Sequence, residues 1–338
     1  MMLYNSLWIF YLRKKAFKMF ENALLSAALR QMLILGLFVG VGFVAAKGRV
    51  LPDNANHTLS KLETYVFIPA LVMGKFLSEF TVETLSGAWK LLLFSLGIEL
   101  LIIPVALLLS RLIAGKDDFL KNVCIYGFAF SNFGFMGLPM IEAIFPQYSM
   151  YYVIFTLPLW ALNFGWAVPF LLMDAKDVKR GFVSTLKRLA NPIMIGLFIG
   201  AAVGISGFQL PAPITETVTT LGSCMSPVAM MITGITFAKM NVRKVLSRPT
   251  VYFVTALRLL AFPFVCGSLY LLITRLFGIA PAEYYYACLV GCAAMPLGLN
   301  SVVIPAGYGK DVSVAAGMVL VSHVSSVVTI PLVLAMFL

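Results

Sequence analysis

Long apolar stretches recur along the whole chain, and short clusters of charged residues separate them. A helix needs about 20 mostly apolar residues to cross a bilayer. The pattern therefore predicts an all-α integral membrane protein with ten transmembrane helices. We place these spans at residues 28–46, 60–77, 88–112, 120–145, 150–173, 191–207, 214–238, 250–276, 283–308 and 312–337.

The prolines inside these spans indicate an internal repeat. Those of spans two to five recur in spans seven to ten at offsets of 158, 159, 157 and 162 residues, as Pro69 and Pro227, Pro104 and Pro263, Pro139 and Pro296, and Pro169 and Pro331. Spans one and six also match, through "GLFVGVG" and "GLFIGAAVG". We predict two five-helix repeats, 26–173 and 191–338, joined by a linker at 174–190. Because five is odd, the second repeat enters the membrane from the opposite side, which is the inverted architecture of many secondary transporters.

The distribution of basic residues predicts the orientation. If span one runs from outside to inside, the inner loops hold sixteen basic residues, whereas the outer loops and outer span ends after residue 25 hold Arg30, Lys75, Lys90 and Arg275. Lys and Arg are enriched in cytoplasmic loops. Both termini would then lie outside and the linker would be cytoplasmic, in a cell (plasma) membrane. The net charge of +11 is explained in this way, without a nucleic-acid partner.

The first 25 residues do not fit this orientation. They carry Arg13, Lys14, Lys15 and Lys18 on the predicted outer side, and their apolar run is too short to span a bilayer. Two interpretations remain open: an interfacial helix, or an extension upstream of a start at Met19.

Spans four and nine each contain a stretch that is unsuited to a continuous helix. "SNFGFMGLP" holds Asn132, Gly134, Gly137 and Pro139, and "AAMPLGLNSVV" holds Pro296, Gly298 and Asn300. Irregular backbone at membrane depth is tolerated only where protein or a cavity covers it, and two symmetric breaks point to a transporter's binding site. We predict that both helices break and cross, with both prolines in the first turns of the second halves. The N-termini of those halves would bind an anion, and the alternative is a pair of proline kinks with packing glycines.

Two charged residues lie at symmetric positions inside spans three and eight. Glu99 and Arg258 each precede a matched proline of the repeat by five residues. Because a charge at mid-membrane is costly, we predict that they form an ion pair. Glu99 could be a protonatable coupling residue, or the pair could be structural.

Three further polar residues are candidates for a functional role. His323 in span ten could carry a proton, or could form a helix–helix hydrogen bond. Asn163 in span five is a candidate substrate ligand, since that span should pack beside span four. Glu142 follows the first break and could face the cavity from the outer side.

Four segments carry a resemblance to the auxin efflux carrier family of membrane transporters. "NFGFMGLP" resembles the family motif Asn-Thr-Gly-Phe-Leu-Gly-Leu-Pro, and further similar segments are "NPIMIGLFIG", "SPVAMMITGITFA" and "MPLGLNSVVIPAGYGKD". The resemblance covers nearly all of residues 19–338, and the short central loop is similar to that of bacterial members. It implies ten helices in two inverted halves, and an elevator mechanism. Helices one, two, six and seven would form a scaffold that dimerises, and the substrate would be a small carboxylate or an auxin-like acid.

Other classes of function have less support. The sequence holds no nucleotide, hydrolase or zinc-protease motif, so we expect no enzyme and no cofactor. The five cysteines lie in apolar spans without a CxxC pair, so neither a disulfide nor a metal is expected. The competing functions are a sodium-coupled symporter of the bile-acid type, which should place more acidic residues at the crossing, and an anion channel.

Overall fold

The computed structural model describes residues 2–173, 192–278, 282–307 and 310–337, with the side chains of α1 described from Leu25 onward. The predicted linker at 174–190 lies outside these residues, and so do its five basic residues. Within the described residues the chain is helical, and its only extended pairing is an isolated antiparallel bridge between Ser131 and Leu297. The chain therefore satisfies almost all of its backbone groups inside helices, as a bilayer requires.

Most of the described helices follow one another through short connections. In chain order they are α1 Met2–Lys47, α2 55–79, α3 Val82–Ala114, α4 Asp118–Ala129, α5 Phe133–Ile144, α6 Pro146–Leu172, α7 Pro192–Ser206, α8 Ala212–Lys239, α9 Val242–Leu246, α10 Pro249–Leu276, α11 Glu283–Ala293, α12 Asn300–Gly307 and α13 Ser313–Phe337. Residues 2–25, predicted as a separate tail, belong to the same helix as span one.

Six of these helices are long and apolar enough to cross a membrane, namely α1, α3, α6, α8, α10 and α13. They correspond to predicted spans one, three, five, seven, eight and ten. Span six is the 15-residue α7, and spans four and nine are each divided into two shorter helices. A multi-pass membrane protein is thus confirmed, and the number of ten spans stays a prediction.

Three of the repeat prolines follow widened helical turns, and a fourth, Pro169, lies inside the π-helix Asn163–Leu172. Turns of π-helix occur at Glu63–Phe67, Phe133–Gly137 and Leu257–Ala261, and a proline follows each of them by two residues. Proline lacks an N–H group and collides with the carbonyl group four residues earlier. A π turn moves that carbonyl group away, so the helix continues past the proline.

The helix contacts fall into two main groups, which meet where α1 packs against α5 and α13. In the first group α1 packs along α8, and α2 packs against α7 and α8. In the second, α3 packs against α4 and α6, and α10 packs against α11 and α13. The α1–α8 contact is close because both helices carry glycine there. A Cβ atom on Gly234 would overlap the Val39 carbonyl group, and a Cβ atom on Gly42 would overlap the Met231 carbonyl group.

Apolar side chains also cover much of the outer surface. Leu37 and Val44 of α1, Leu101 and Leu112 of α3, and Phe198 of α7 are all mainly exposed. A soluble protein rarely exposes such continuous apolar faces. These faces are the surfaces that lipid tails would cover.

Candidate functional site

The first break separates α4 from α5. Asp117 caps the start of α4 by accepting a hydrogen bond from the Leu120 N–H group at 2.9 Å. The helix ends at Ala129, Phe130 is extended, and α5 begins at Phe133 with a π turn. Asn132 immediately precedes this turn, and its carbonyl oxygen accepts hydrogen bonds from two N–H groups of the turn.

The second break separates α11 from α12 and lies against the first. The Asn132 N–H group donates to the Pro296 carbonyl oxygen at 2.8 Å, and Ser131 pairs with Leu297 across the bridge. The Ser131 hydroxyl group donates to the Cys292 carbonyl oxygen at 2.9 Å. Backbone groups that have no helical partner in one break therefore find hydrogen-bond partners in the other break. Segments about 160 residues apart in sequence meet at one point.

The two prolines do not occupy equivalent positions. Pro139 lies in the first turn of the regular helix Leu138–Ile144, as predicted. Pro296 was also predicted in the first turn of a half-helix, but α12 begins only at Asn300. That prediction was wrong because the break around Pro296 stays extended far enough to pair with the first break.

Close contacts account for the glycines of both breaks. A Cβ atom on Gly134 would lie 2.4 Å from the Trp160 ring, and one on Gly137 would lie 2.1 Å from the Tyr152 hydroxyl oxygen. A Cβ atom on Gly298 would lie 2.9 Å from the Phe130 carbonyl oxygen. Packing therefore favours glycine over any larger residue at these three positions, whether or not a ligand also binds there.

Asn132 and His323 form a buried side-chain pair. The Asn132 Nδ2 atom lies 2.9 Å from His323 Nε2, and His323 Nδ1 lies 2.8 Å from the Val319 carbonyl oxygen. Since a carbonyl oxygen can only accept, Nδ1 carries the hydrogen and Nε2 accepts from the Asn132 amide. The histidine is neutral in this arrangement and holds the amide in one orientation. The neighbouring Ser322 hydroxyl oxygen accepts from the Leu297 N–H group at 3.3 Å, so α13 supports both breaks.

Arg258 does not form the predicted ion pair with Glu99. Among the described residues no carboxylate oxygen lies within 4.0 Å of its guanidinium group. Instead Nε, Nη1 and Nη2 donate to the carbonyl oxygens of Met295, Phe128 and Cys292 at 3.2, 3.2 and 3.3 Å. The prediction was wrong because the last turns of α4 and α11 and the break after α11 present three carbonyl oxygens to Arg258, and these fit the planar fork of its guanidinium group.

Glu99 remains close to this arginine. Both side chains line a cavity of about 20 Å³ together with Ser95, Ser131 and Cys292. A cavity of this size holds about one water molecule. The Glu99 Oε1 atom is buried and has no hydrogen-bond partner among the described residues. One water molecule in this cavity would have both the Glu99 carboxyl group and the Arg258 guanidinium group among its neighbours.

The remaining amides gather around a tyrosine that the sequence analysis missed. Tyr126 of α4 is buried, and its hydroxyl group interacts with the side chains of Asn163 and Asn300. The Asn163 Oδ1 atom is buried without a hydrogen-bond partner among the described residues. Tyr126 lies six residues before Asn132, and this proximity to the break is the signal by which it could have been found.

Glu142 forms an ion pair with a residue of α2. Its carboxylate forms a 2.8 Å ion pair with Lys75 of α2, and Lys75 also pairs with Glu79 at 2.9 Å. Glu142 was predicted to face the cavity from the outer side. The structure instead places it in a contact between α5 and α2, because Lys75 is the cation within reach.

Comparison with known families finds a family model that matches the chain twice. The family model described as "Membrane transport protein" matches residues 27–177 and residues 178–334. Together these segments cover most of the chain, and the double match agrees with a duplicated unit. A comparison with curated protein sequences finds no match.

Proposed function

Since this chain belongs to the auxin efflux carrier family of membrane transport proteins, we propose that it is a secondary transporter of small organic anions. Its substrates would be mono- or dicarboxylates or auxin-like acids, and it would work as an exporter. The binding site would lie where the breaks of spans four and nine cross. The observation that carries this proposal is the direct pairing of the two breaks through Ser131, Leu297, Asn132 and Pro296.

The electrostatics of the breaks favour an anion. A helix N-terminus carries partial positive charge and unpaired N–H groups, whereas a C-terminus carries partial negative charge. At this crossing Arg258 covers the carbonyl oxygens at the C-terminal ends of α4 and α11. The N-terminal ends of α5 and α12 would then hold the carboxylate, without a full positive charge directly on it.

Three asparagines would orient the substrate. Asn132 adjoins the start of α5, Asn300 begins α12, and Asn163 shares Tyr126 with Asn300. Gly134, Gly137 and Gly298 would let the two segments approach each other, with Pro139 and Pro296 setting the breaks. His323 would act through Asn132, and Glu99 through Arg258.

The proposed topology has ten spans in two inverted repeats, with the linker in the cytoplasm and both termini outside the plasma membrane. The excess of basic residues in the inner loops supports this topology.

A membrane potential that is negative inside favours the outward movement of an anion by about 2.3 kcal/mol per charge per 100 mV. Export would then need no coupling ion, and Glu99, His323 and Glu142 would not have to carry one.

The packing of the helices in two groups is compatible with an elevator mechanism. The group of α1, α2, α7 and α8 would be a static scaffold, and the group built on α3 to α6 and α10 to α13 would move. The exposed apolar faces of α1 and α7 would support a homodimer through the scaffold. Membrane lipid would cover the remaining faces.

The experiment that tests this function is flux into liposomes. We would measure uptake of labelled malonate, malate and indole-acetate, with and without an imposed potential, for the wild type, Asn132→Ala and Asn300→Ala. We expect saturable uptake that both variants lose. Saturable uptake that both variants retain would move the site away from the crossing.

The same assay separates the two alternatives. A sodium-coupled symporter of the bile-acid type would show uptake that depends on a sodium gradient. An anion channel would show flux without saturation and without counterflow. Either result would replace the proposed mechanism.

A further inference from the structure

One face of α2 carries a row of buried oxygen atoms without partners. Asn56, Ser60 and Glu63 are spaced by four and three residues, so they lie on the same face of the helix. The Asn56 Oδ1, Ser60 Oγ and both Glu63 Oε atoms are buried without a hydrogen-bond partner among the described residues. Glu63 itself is only 2% exposed. Such a set is unusual because buried polar groups are almost always hydrogen-bonded.

The facing helix α8 does not supply the missing donors. The hydroxyl groups of Thr233 and Thr236 donate to carbonyl oxygens of their own helix. The Asn56 Nδ2 group donates to the Thr236 hydroxyl oxygen at 3.0 Å, which leaves Asn56 Oδ1 unused. From α8 only the Ala229 backbone N–H group interacts with the Glu63 carboxyl group, and neither carboxyl oxygen reaches the geometry of a full hydrogen bond there.

No charged side chain compensates Glu63 from the packed elements. Among the elements that pack against residues 55–67, α7, residues 225–238 of α8 and α12 contain no ionisable acid or base, and residues 212–223 of α8 add the acid Glu216. The charged or titratable groups of α2 next to this row, His57 and Lys61, are exposed, and no cation lies within 4.0 Å of Glu63 among the described residues. Arg49, Asp53 and Lys239 lie at the end of the row where Asn56 is found. An isolated buried carboxylate is costly, so the group must gain a proton or another positive partner.

A cavity opens at the Asn56 end of the row. It has a volume of about 500 Å³ and is lined by Arg49, Asp53, Ile235 and Lys239, among others. Ile235 directly precedes Thr236, the partner of Asn56, and the Lys239 ammonium group donates to the Asp53 carbonyl oxygen at 2.7 Å. The cavity therefore adjoins the start of the row through Ile235 and its neighbour Thr236.

The length of the row argues against a metal ion. Seven residues of helix separate Asn56 from Glu63, which is about 10 Å along the axis. The oxygen ligands of one ion lie within about 2.6 Å of it, so these three side chains cannot surround a single ion. Water molecules fit this spacing, because each can donate to the Asn56 and Glu63 oxygens and can either donate to or accept from the Ser60 hydroxyl group.

We propose that Glu63 binds an exchangeable proton, which reaches it from this cavity along a file of water molecules past Asn56 and Ser60. The proton removes the uncompensated charge, and the file satisfies the oxygens that lack partners. This site is separate from the crossing of the two breaks, and its proton binding can be measured without any transport substrate.

The test is infrared difference spectroscopy of the full-length protein in lipid after a step in pH. We expect a change in the C=O stretching band of a protonated carboxyl group that disappears in Glu63→Gln and persists in Glu99→Gln. Ser60→Val should keep the band but slow its response about tenfold, the scale of one lost hydrogen bond in the file. A band that persists unchanged in Glu63→Gln, or the absence of any response to pH in the wild type, would overturn the proposal.

A second measurement does not depend on the variants folding. A carbodiimide that reacts with protonated carboxyl groups in apolar surroundings should label Glu63 of the wild type, as detected by mass spectrometry. An unlabelled Glu63 would count against the proposal. Saturable thermal stabilisation by sodium over choline, lost in Glu63→Gln, would replace the proton with a cation.

Discussion

Replacing Arg258 by methionine removes the group that joins α10 to both helix breaks. Methionine preserves most of the apolar stem and deletes the guanidinium group. The carbonyl oxygens of Phe128 and Met295 then lose the hydrogen bonds that Arg258 donates, whereas that of Cys292 still accepts from the Ser131 hydroxyl group. The usual helical donor for Phe128 would be the Asn132 N–H group, which is already bonded to Pro296.

The expected loss follows from these two oxygens. A buried polar group left without a partner costs about 1–3 kcal/mol, so two of them cost about 2–6 kcal/mol. One kcal/mol corresponds to roughly 2–4 °C in Tm for a domain of 150–250 residues. We therefore expect the apparent Tm in detergent to fall by at least about 4 °C, with loss of anion uptake.

Matched variants separate the capping role from an ion pair. Arg258→Lys keeps the charge but cannot reach three carbonyl oxygens in a plane, so its apparent Tm should lie between those of Arg258→Met and the wild type. Glu99→Gln should lower the apparent Tm less than Arg258→Met does. The exchange of the two residues, Glu99→Arg with Arg258→Glu, should restore neither the Tm nor anion uptake. A wild-type Tm for Arg258→Met, or full rescue by the exchange, would refute the reasoning.

Three further predictions concern packing, orientation and surface charge. Gly137→Ala should lower the apparent Tm by the equivalent of about 1–3 kcal/mol through overpacking, whereas Gly97→Ala, where a Cβ atom meets nothing within 4 Å, should not lower it. His323→Gln retains an acceptor for the Asn132 amide and should keep the wild-type KM for uptake, whereas His323→Phe should raise the KM about 2- to 10-fold. Equal KM values for the two variants would contradict this role of His323. Lys75→Met should lower the stability measured by thermal denaturation by about 1 kcal/mol or less, because the ion pairs of Lys75 are partly exposed. A complete loss of uptake in this variant would contradict a purely structural role for these ion pairs.

Part of the candidate site was predictable because its signal is local. Asn132, Gly137 and Pro139 are conspicuous inside an apolar stretch, and the matched prolines relate them to Pro296 and its neighbours. The structure shows helix breaks at both places and brings them together. The partners of the polar side chains were less predictable. Arg258 donates hydrogen bonds to backbone carbonyl oxygens and does not pair with Glu99, and Glu142 pairs with Lys75.

The sequence by itself determined that the chain is a helical membrane protein with a duplicated unit and two interrupted spans. These properties follow from the cost of exposing backbone groups and charges to lipid, which acts along each stretch of chain separately. Only the tertiary structure decided that Asn132 holds His323, that Arg258 joins three carbonyl oxygens, and that Glu63 ends a row of oxygens without partners. The reason is geometric: a hydrogen bond extends about 3 Å, so its partner is set by which helix faces meet.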